Sequence, residues 1–188
     1  MLKVLMKFIL IGIQGAGKST QGNMMSAKLN IPYLSSGHIF RQMSREKTPW
    51  GRYVKEVVNS GSLMPDDKTI EVVNEYLAKE AYAKGYILDG FPRTVTQAKL
   101  FKNGVDGVIY LNVSEKEAVW RLYGRMDDEI REDNNLQAIR RRIKLFHEQT
   151  MPVVEYYKGE GKLLEVNGEQ SIEEIHHEIM QRVNDLKL

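Results

Sequence analysis

The stretch "GIQGAGKST", Gly12 to Thr20, constrains this chain more than any other. It follows the apolar run "VLMKFILI" and leads into a segment of helical character. Gly12, Gly17, Lys18 and Ser19 meet the pattern G-x-x-x-x-G-K-[ST]. A strand, a glycine-rich turn and a helix start, in that order, bring successive backbone N–H groups onto one anion. The helix behind them adds its N-terminal partial positive charge. Gly12, Gly15 and Gly17 permit the tight path and the close approach, with Ala16 between them. Lys18 is placed to reach β- and γ-phosphates, and the hydroxyl of Ser19 or Thr20 can face Mg²⁺. The loop predicts nucleotide triphosphate binding, and leaves open where the phosphate goes.

Bulk properties narrow the setting. At 188 residues the chain fits one folded unit with a sizeable core. A net charge of +2 argues against bulk nucleic-acid or membrane binding, so any important positive charge is local. Cysteine is absent, which excludes disulfides and thiolate metal sites and fits a cytoplasmic location. The apolar run before the loop is far shorter than the roughly 20 residues a membrane span requires. It reads as a buried strand.

Further along, strands and helices alternate, which predicts an α/β fold: a parallel sheet with helices on both faces. Val4–Ile11, "GYILDG" at 85–90, "GVIYLNV" at 107–113 and "KLLEVNG" at 162–168 read as strands. Lys18–Leu29 reads as the helix after the loop. Apolar stripes at helical spacing run through Ile70, Val73, Leu77 and Ala81, through Ile139, Ile143, Phe146 and Val153, and through Ile172, Ile175, Ile179 and Val183. The last begins with the capping-box pattern Ser171-x-x-Glu174. Two segments depart from simple alternation: Ser35–Ala83, mostly helical in pattern, and the polar, charge-rich "GRMDDEIREDNN" at 124–135. Insertions on a rigid sheet commonly cover substrates, although a solvated loop is the simpler reading of the second.

A phosphate loop calls for an acid at the end of a neighbouring strand, holding Mg²⁺ through water. Asp89 fits, closing "YILD"; its competing role is a turn or capping residue before Gly90. Arginines narrow the chemistry. Arg121 and Arg125 lie four apart and share a helix face, Arg131 and Arg142 follow, and Arg41 and Arg93 precede them. Arg140 and Arg141 read as part of a solvated face. Two nucleotides carry roughly six negative charges, of which one Mg²⁺ offsets two, whereas a water-attacking NTPase typically adds one arginine. The arginine content therefore suits two phosphorylated substrates.

"YILDGFPRTVTQA", Tyr86 to Ala98, resembles the signature of the nucleoside monophosphate kinases, most closely the adenylate kinases. The resemblance runs through nearly the whole chain. It takes in "GIQGAGKSTQ", "LSSGHIFR" at 34–41, "GSLMPDD" at 61–67, "RLYGR" at 121–125, Arg131 with Asp133, Arg142, and "FHEQTMPVVEYY". It implies a P-loop NTPase fold in one kinase domain spanning 1–188. A monophosphate-binding insertion would occupy 35–64 and a short lid 124–135.

The same resemblance implies roles. Lys18 and the loop amides of Gly15 to Thr20 would hold the donor phosphates. Arg121 and Arg125 would contact the donor nucleotide, Arg121 lying flat against adenine, with further donor-base contacts near Gln170. Arg41 and Arg93 would grip the acceptor phosphate bidentately, beside Gly90. Ser36, Ser62, Met64 and Gln97 would surround the acceptor base. Arg131 and Arg142 would reach both the acceptor side and the transferring group, which makes Lys18, Arg93, Arg131 and Arg142 the catalytic set. Ser19 would bind Mg²⁺, and Asp89 would hold it through water. The expected substrates are ATP, AMP and ADP. Only five residues separate Arg125 from Arg131, the short-lid spacing, and without cysteines no zinc is expected. The family is generally monomeric; the sequence leaves a homo-oligomer open.

Three positions depart from the family pattern. Gln14 stands where proline is usual, Ser19 where glycine is common, and His38 where an aspartate is common. His38 reads as a residue at a helix N-terminus, hydrogen-bonded locally. The "GKST" form is shared with small-metabolite kinases such as shikimate or gluconate kinases, which lack "DGFPR" followed by Gln97. Gln97 favours adenine over the pyrimidines of a UMP or CMP kinase. A P-loop switch is the reading from another class, but the guanine-binding N-K-x-D is absent, and "DDEI" at 127–130 lies in a polar segment instead of at a strand end.

Overall fold

The computed structural model describes residues 6–124 and 136–186. Its sheet is parallel throughout, in the order β2-β3-β1-β4-β5. The strands are β1 (Met6–Ile11), β2 (Tyr33–Ser35), β3 (Gly85–Asp89), β4 (Gly107–Asn112) and β5 (Leu163–Asn167). Phe8 to Ile11 and all of β3 are buried in continuous runs instead of alternating, as happens when both sheet faces are covered. Helix α1 (Lys18–Leu29) packs on β1, β2 and β3, and against α9 (Ile172–Asp185), which also covers β5. Helix α5 (Val95–Leu100) packs on α8 (Met151–Gly159). The capping box of α9 is formed: Ser171 Oγ accepts from the Glu174 N–H, and the Glu174 carboxylate accepts from the Ser171 N–H. Among the described residues no helix is long and apolar enough to cross a membrane.

Between β2 and β3 lie α2 (Ser36–Met43), α3 (Pro49–Asn59), α4 (Asp66–Leu77) and a single 3₁₀ turn (Glu80–Tyr82). The apolar stripe read through Ala81 therefore outruns its helix, and Ala81 is exposed. Strand β2 leaves no trace in the pattern because three residues cannot display a period of two. After α6 (Glu115–Gly124), α7 (Leu136–Leu145) continues into α8 through one wide turn, Phe146–Thr150. Pro152, which lacks an N–H, sits in the first turn of α8, and the widened turn ahead of it spares the chain an unmet bond there. Phe146 and Val153, seven residues apart, are both buried on either side of this turn.

Candidate functional site

The strands deliver their C-terminal ends to one edge, and a cleft of about 530 Å³ opens there. Its floor is the loop between β1 and α1. Gly15 and Gly17 take φ of +94° and +89°, which favours glycine at both, and at Gly15 space demands it too, since a Cβ there would lie 2.4 Å from the Ala118 carbonyl oxygen. Lys18 opens α1 and donates to the carbonyls of Gly12 at 2.7 Å and Ile13 at 3.0 Å, lying back across the loop. Gly17, the residue before α1, has no side chain to cap it, so the first N–H groups of the helix remain disposed toward an anion. Ser19 and Thr20 line the same cleft.

Asp89 ends β3, level with Leu10 of β1 and Ser35 of β2. It is 7% exposed. Its Oδ2 accepts a hydrogen bond from the Tyr33 hydroxyl at 2.7 Å, while Oδ1 is buried with no partner among the described residues. Burial first, then the Asp89 charge, push the Tyr33 pKa up, so the phenol remains a donor. A turn or capping role for Asp89 is not what is found; Thr94 caps the following helix. An orphaned carboxylate oxygen beside a phosphate loop suits a hydrated Mg²⁺. The described residues contain no cluster of three or more His, Cys, Asp or Glu side chains able to cage a metal.

Three arginines come from three elements into this cleft: Arg41 from α2, Arg93 from the turn after β3, and Arg142 from α7. Gly90, at φ +77°, leaves its carbonyl to accept from both Ser36 Oγ (2.7 Å) and Arg93 Nε (2.8 Å). Thr150 Oγ1 in turn donates to the Arg93 carbonyl at 3.0 Å. Burial depresses the Arg93 pKa; Asp89 opposes that shift, and Arg142 and Arg41 deepen it. The guanidinium remains charged at neutral pH. Like charges assembled in one enclosed place mark an anion site, since the anion relieves their repulsion. Arg142 donates to the Val58 carbonyl at 2.9 Å, at the C-terminal end of α3, and lies 3.4 Å from Gln14 Oε1.

Gln97 lies on the wall of the cleft that Ser62 and Met64 also line, and is 1% exposed. Its carboxamide is set from two sides: Oε1 accepts from the Arg93 N–H at 2.7 Å and Nε2 donates to Asp66 at 2.8 Å. Thr94 Oγ1 also donates to Asp66, at 3.0 Å. A second cavity of about 360 Å³ adjoins the other side of the loop, between Gly17, Arg121 and Gln170, with Trp120 and Ile172 on its walls. Arg121 is fixed there by Glu117 at 2.7 Å and by the Gly168 carbonyl at 2.9 Å.

The residues picked out in the sequence thus fall into two adjoining cavities. Arg125 and Arg131, with Asp133 and nearly all of the 124–135 segment, lie outside the described residues. Arg140 and Arg141 are exposed, and His38 is exposed in the first turn of α2, its N–H directed at Ser35 Oγ (3.4 Å). Sequence reasoning missed Tyr33 and Asp66 as partners of Asp89 and Gln97. A residue that acts through another carries no motif; only the fold brings 33 to 89.

A family model described as adenylate kinase matches residues 10–162. The chain is 38% identical over 184 residues to an adenylate kinase of Azobacteroides pseudotrichonymphae, covering 94% of this chain and 96% of that protein. It is 40% identical over 180 residues to adenylate kinase 1 of a Nostoc species, covering 92% and 96%. To an adenylate kinase of Leptospira biflexa it is 37% identical over 184 residues, covering 94% and 99%. The matched span holds the phosphate loop, the Asp89 turn and the arginines of the cleft, and on that likeness the chain belongs to the adenylate kinase family.

Proposed function

We propose that the protein transfers the terminal phosphoryl group of Mg·ATP to AMP, reversibly, giving two ADP. The observation that carries this reading is the convergence of Arg41, Arg93 and Arg142 in the cleft that the phosphate loop floors. Hydrolysis has no use for so much positive charge away from the loop. A second phosphorylated substrate does.

Each side chain then has a task. Lys18 and the amides from Gly15 to Thr20 hold the donor phosphates. Arg121 and the surroundings of Gln170 take the donor nucleotide in the smaller cavity. Arg41 and Arg93 grip the acceptor phosphate, and Ser36, Ser62, Met64, Gly90 and Gln97 frame the acceptor. The attacking atom is a phosphate oxygen that already carries charge, so no general base is required. Arg142 balances the charge on the transferring group, and Arg125 and Arg131 join from the lid segment. Ser19 and Asp89 would hold magnesium, Asp89 through water, and the bound ion would supply neutralisation of phosphate charge. Residues 35–64 form the acceptor subdomain and 124–135 the lid, whose closure shuts out water as a competing acceptor. The working location is the cytoplasm, and the partners are nucleotides, not nucleic acid or membrane.

Initial rates of diphosphate formation from Mg·ATP with AMP, UMP, CMP and GMP test the reading. AMP should lead by orders of magnitude. Arg93→Ala should lower kcat about 10²–10³-fold, the scale of losing one donor to transition-state charge. Preference for another monophosphate overturns the use made of Gln97. Failure to phosphorylate any of them overturns the reading whole.

A further inference from the structure

Asp89 is clamped from one side only. Tyr33, the first residue of β2, donates to Oδ2 at 2.7 Å, and Oδ1 is left buried without a protein partner among the described residues. The Tyr33 ring lies across Gly22, in the interior of α1. A Cβ built on Gly22 would come within 2.4 Å of Tyr33 Cε2 and 2.6 Å of Cδ2. Gly22 is buried, and it is not among the glycines with positive φ, so the backbone itself does not call for glycine there. Glycine inside a helix costs conformational entropy and is uncommon without cause. Room for the tyrosine ring supplies the cause. The pair is built to bring a hydroxyl to one oxygen of one carboxylate.

We propose that Tyr33, seated on Gly22, is a positioning residue that holds Asp89 with Oδ1 presented to the hydrated magnesium ion beside the phosphate loop. A carboxylate tethered at one oxygen cannot swing about its Cβ–Cγ bond, so the other oxygen meets the metal's water shell already aimed. Groups that orient a metal-holding side chain from behind govern affinity nearly as strongly as the side chain itself. The inference rests on the magnesium role given to Asp89 above, and its test separates the two.

The test is Mn²⁺ binding to the complex with a non-hydrolysable ATP analogue, followed by electron paramagnetic resonance, in the unaltered protein and in Tyr33→Phe, Gly22→Ala and Asp89→Asn. Analogue binding without metal serves as the control for an intact loop. Tyr33→Phe keeps the ring and loses the hydroxyl. It should weaken Mn²⁺ about tenfold while metal-free analogue affinity holds. Gly22→Ala keeps the hydroxyl and unseats the ring, and should show the same loss. Tyr33→Phe placed on Asp89→Asn should add nothing. The kcat of Tyr33→Phe should recover toward normal as free Mg²⁺ is raised. Unchanged Mn²⁺ affinity in Tyr33→Phe, with weakened binding in Asp89→Asn, overturns the role of Tyr33 alone. Unchanged affinity in Asp89→Asn overturns the magnesium role of Asp89, and the proposal with it.

Discussion

The sequence marks Gln97 as the residue proposed to meet an acceptor base, yet it does not reveal what aims the carboxamide. With Oε1 on the Arg93 N–H and Nε2 on Asp66, the carboxamide has one orientation, set by charge on one side and backbone on the other. A hydrogen bond to a charged group contributes about 1.5–3 kcal/mol. Asp66→Ala should therefore leave Gln97 free to rotate, and narrow the preference for AMP over UMP about tenfold in kcat/KM. Parallel kinetics on the two acceptors check this, and an unchanged ratio would show that Asp66 does not set the base contact. Gln14, the departure from the family's usual proline, has its own partner in Arg142 at 3.4 Å. The phosphate-loop residues were legible because their chemistry is local: consecutive amides, consecutive glycines, one lysine. Tyr33 and Asp66 were not, since each acts on a residue far away in the chain.

At the scale of elements, the end of α3 meets α7. Gly61 sits just past the helix at φ +72°, and the N–H groups of Ser62 and Gly61 return to the carbonyls of Val57 and Val58, both at 3.1 Å. This is a Schellman closure, which satisfies carbonyls the helix leaves open. The negative end of the α3 dipole then receives Arg142 at the Val58 carbonyl. A Cβ on Gly61 would press to 2.5 Å from the Ala138 carbonyl of α7. Gly61→Ala should therefore shift α7 and its arginine as well as strain the turn. The expected outcome is a lower kcat together with a lower melting temperature, read by steady-state kinetics and calorimetry. A fall in melting temperature with unaltered kcat would mean that α7 does not carry Arg142 with it. At the other end of the chain, Ser171→Ala removes the cap of α9. The expected cost of about 1 kcal/mol lowers Tm by about 2–4 °C in a chain of this size. The box was legible as S-x-x-E. The wide turn at 146–150 was not, because the spacing of Ile139, Ile143, Phe146 and Val153 fits an unbroken helical period and marks no change of pitch.

For the molecule as a whole, the phosphate loop divides two cavities, and the two tryptophans lie on different helices. Trp120 is 71% exposed on the wall of the smaller cavity, and Trp50, in α3, has its ring centroid 5.4 Å from that of Tyr53, the planes tilted by 32°. ATP should change the emission of Trp120, read in Trp50→Phe, whereas AMP should change that of Trp50, read in Trp120→Phe. Titrations giving the reverse assignment would exchange the donor and acceptor sides. By itself the sequence determined that a phosphate loop joins a buried strand to a helix and that the sheet is parallel, and it supplied the arginines on which the reading of a second phosphate rests. Each of these depends on residue type, on periodicity, or on neighbours a few positions apart. Only the tertiary structure decided which groups meet: Arg41, Arg93 and Arg142 in one cleft, Tyr33 on Asp89, Asp66 on Gln97. The physical reason is that burial and strand order, not sequence separation, set those distances. The charge and hydrogen-bonding terms that give the site its chemistry fall off with distance through space.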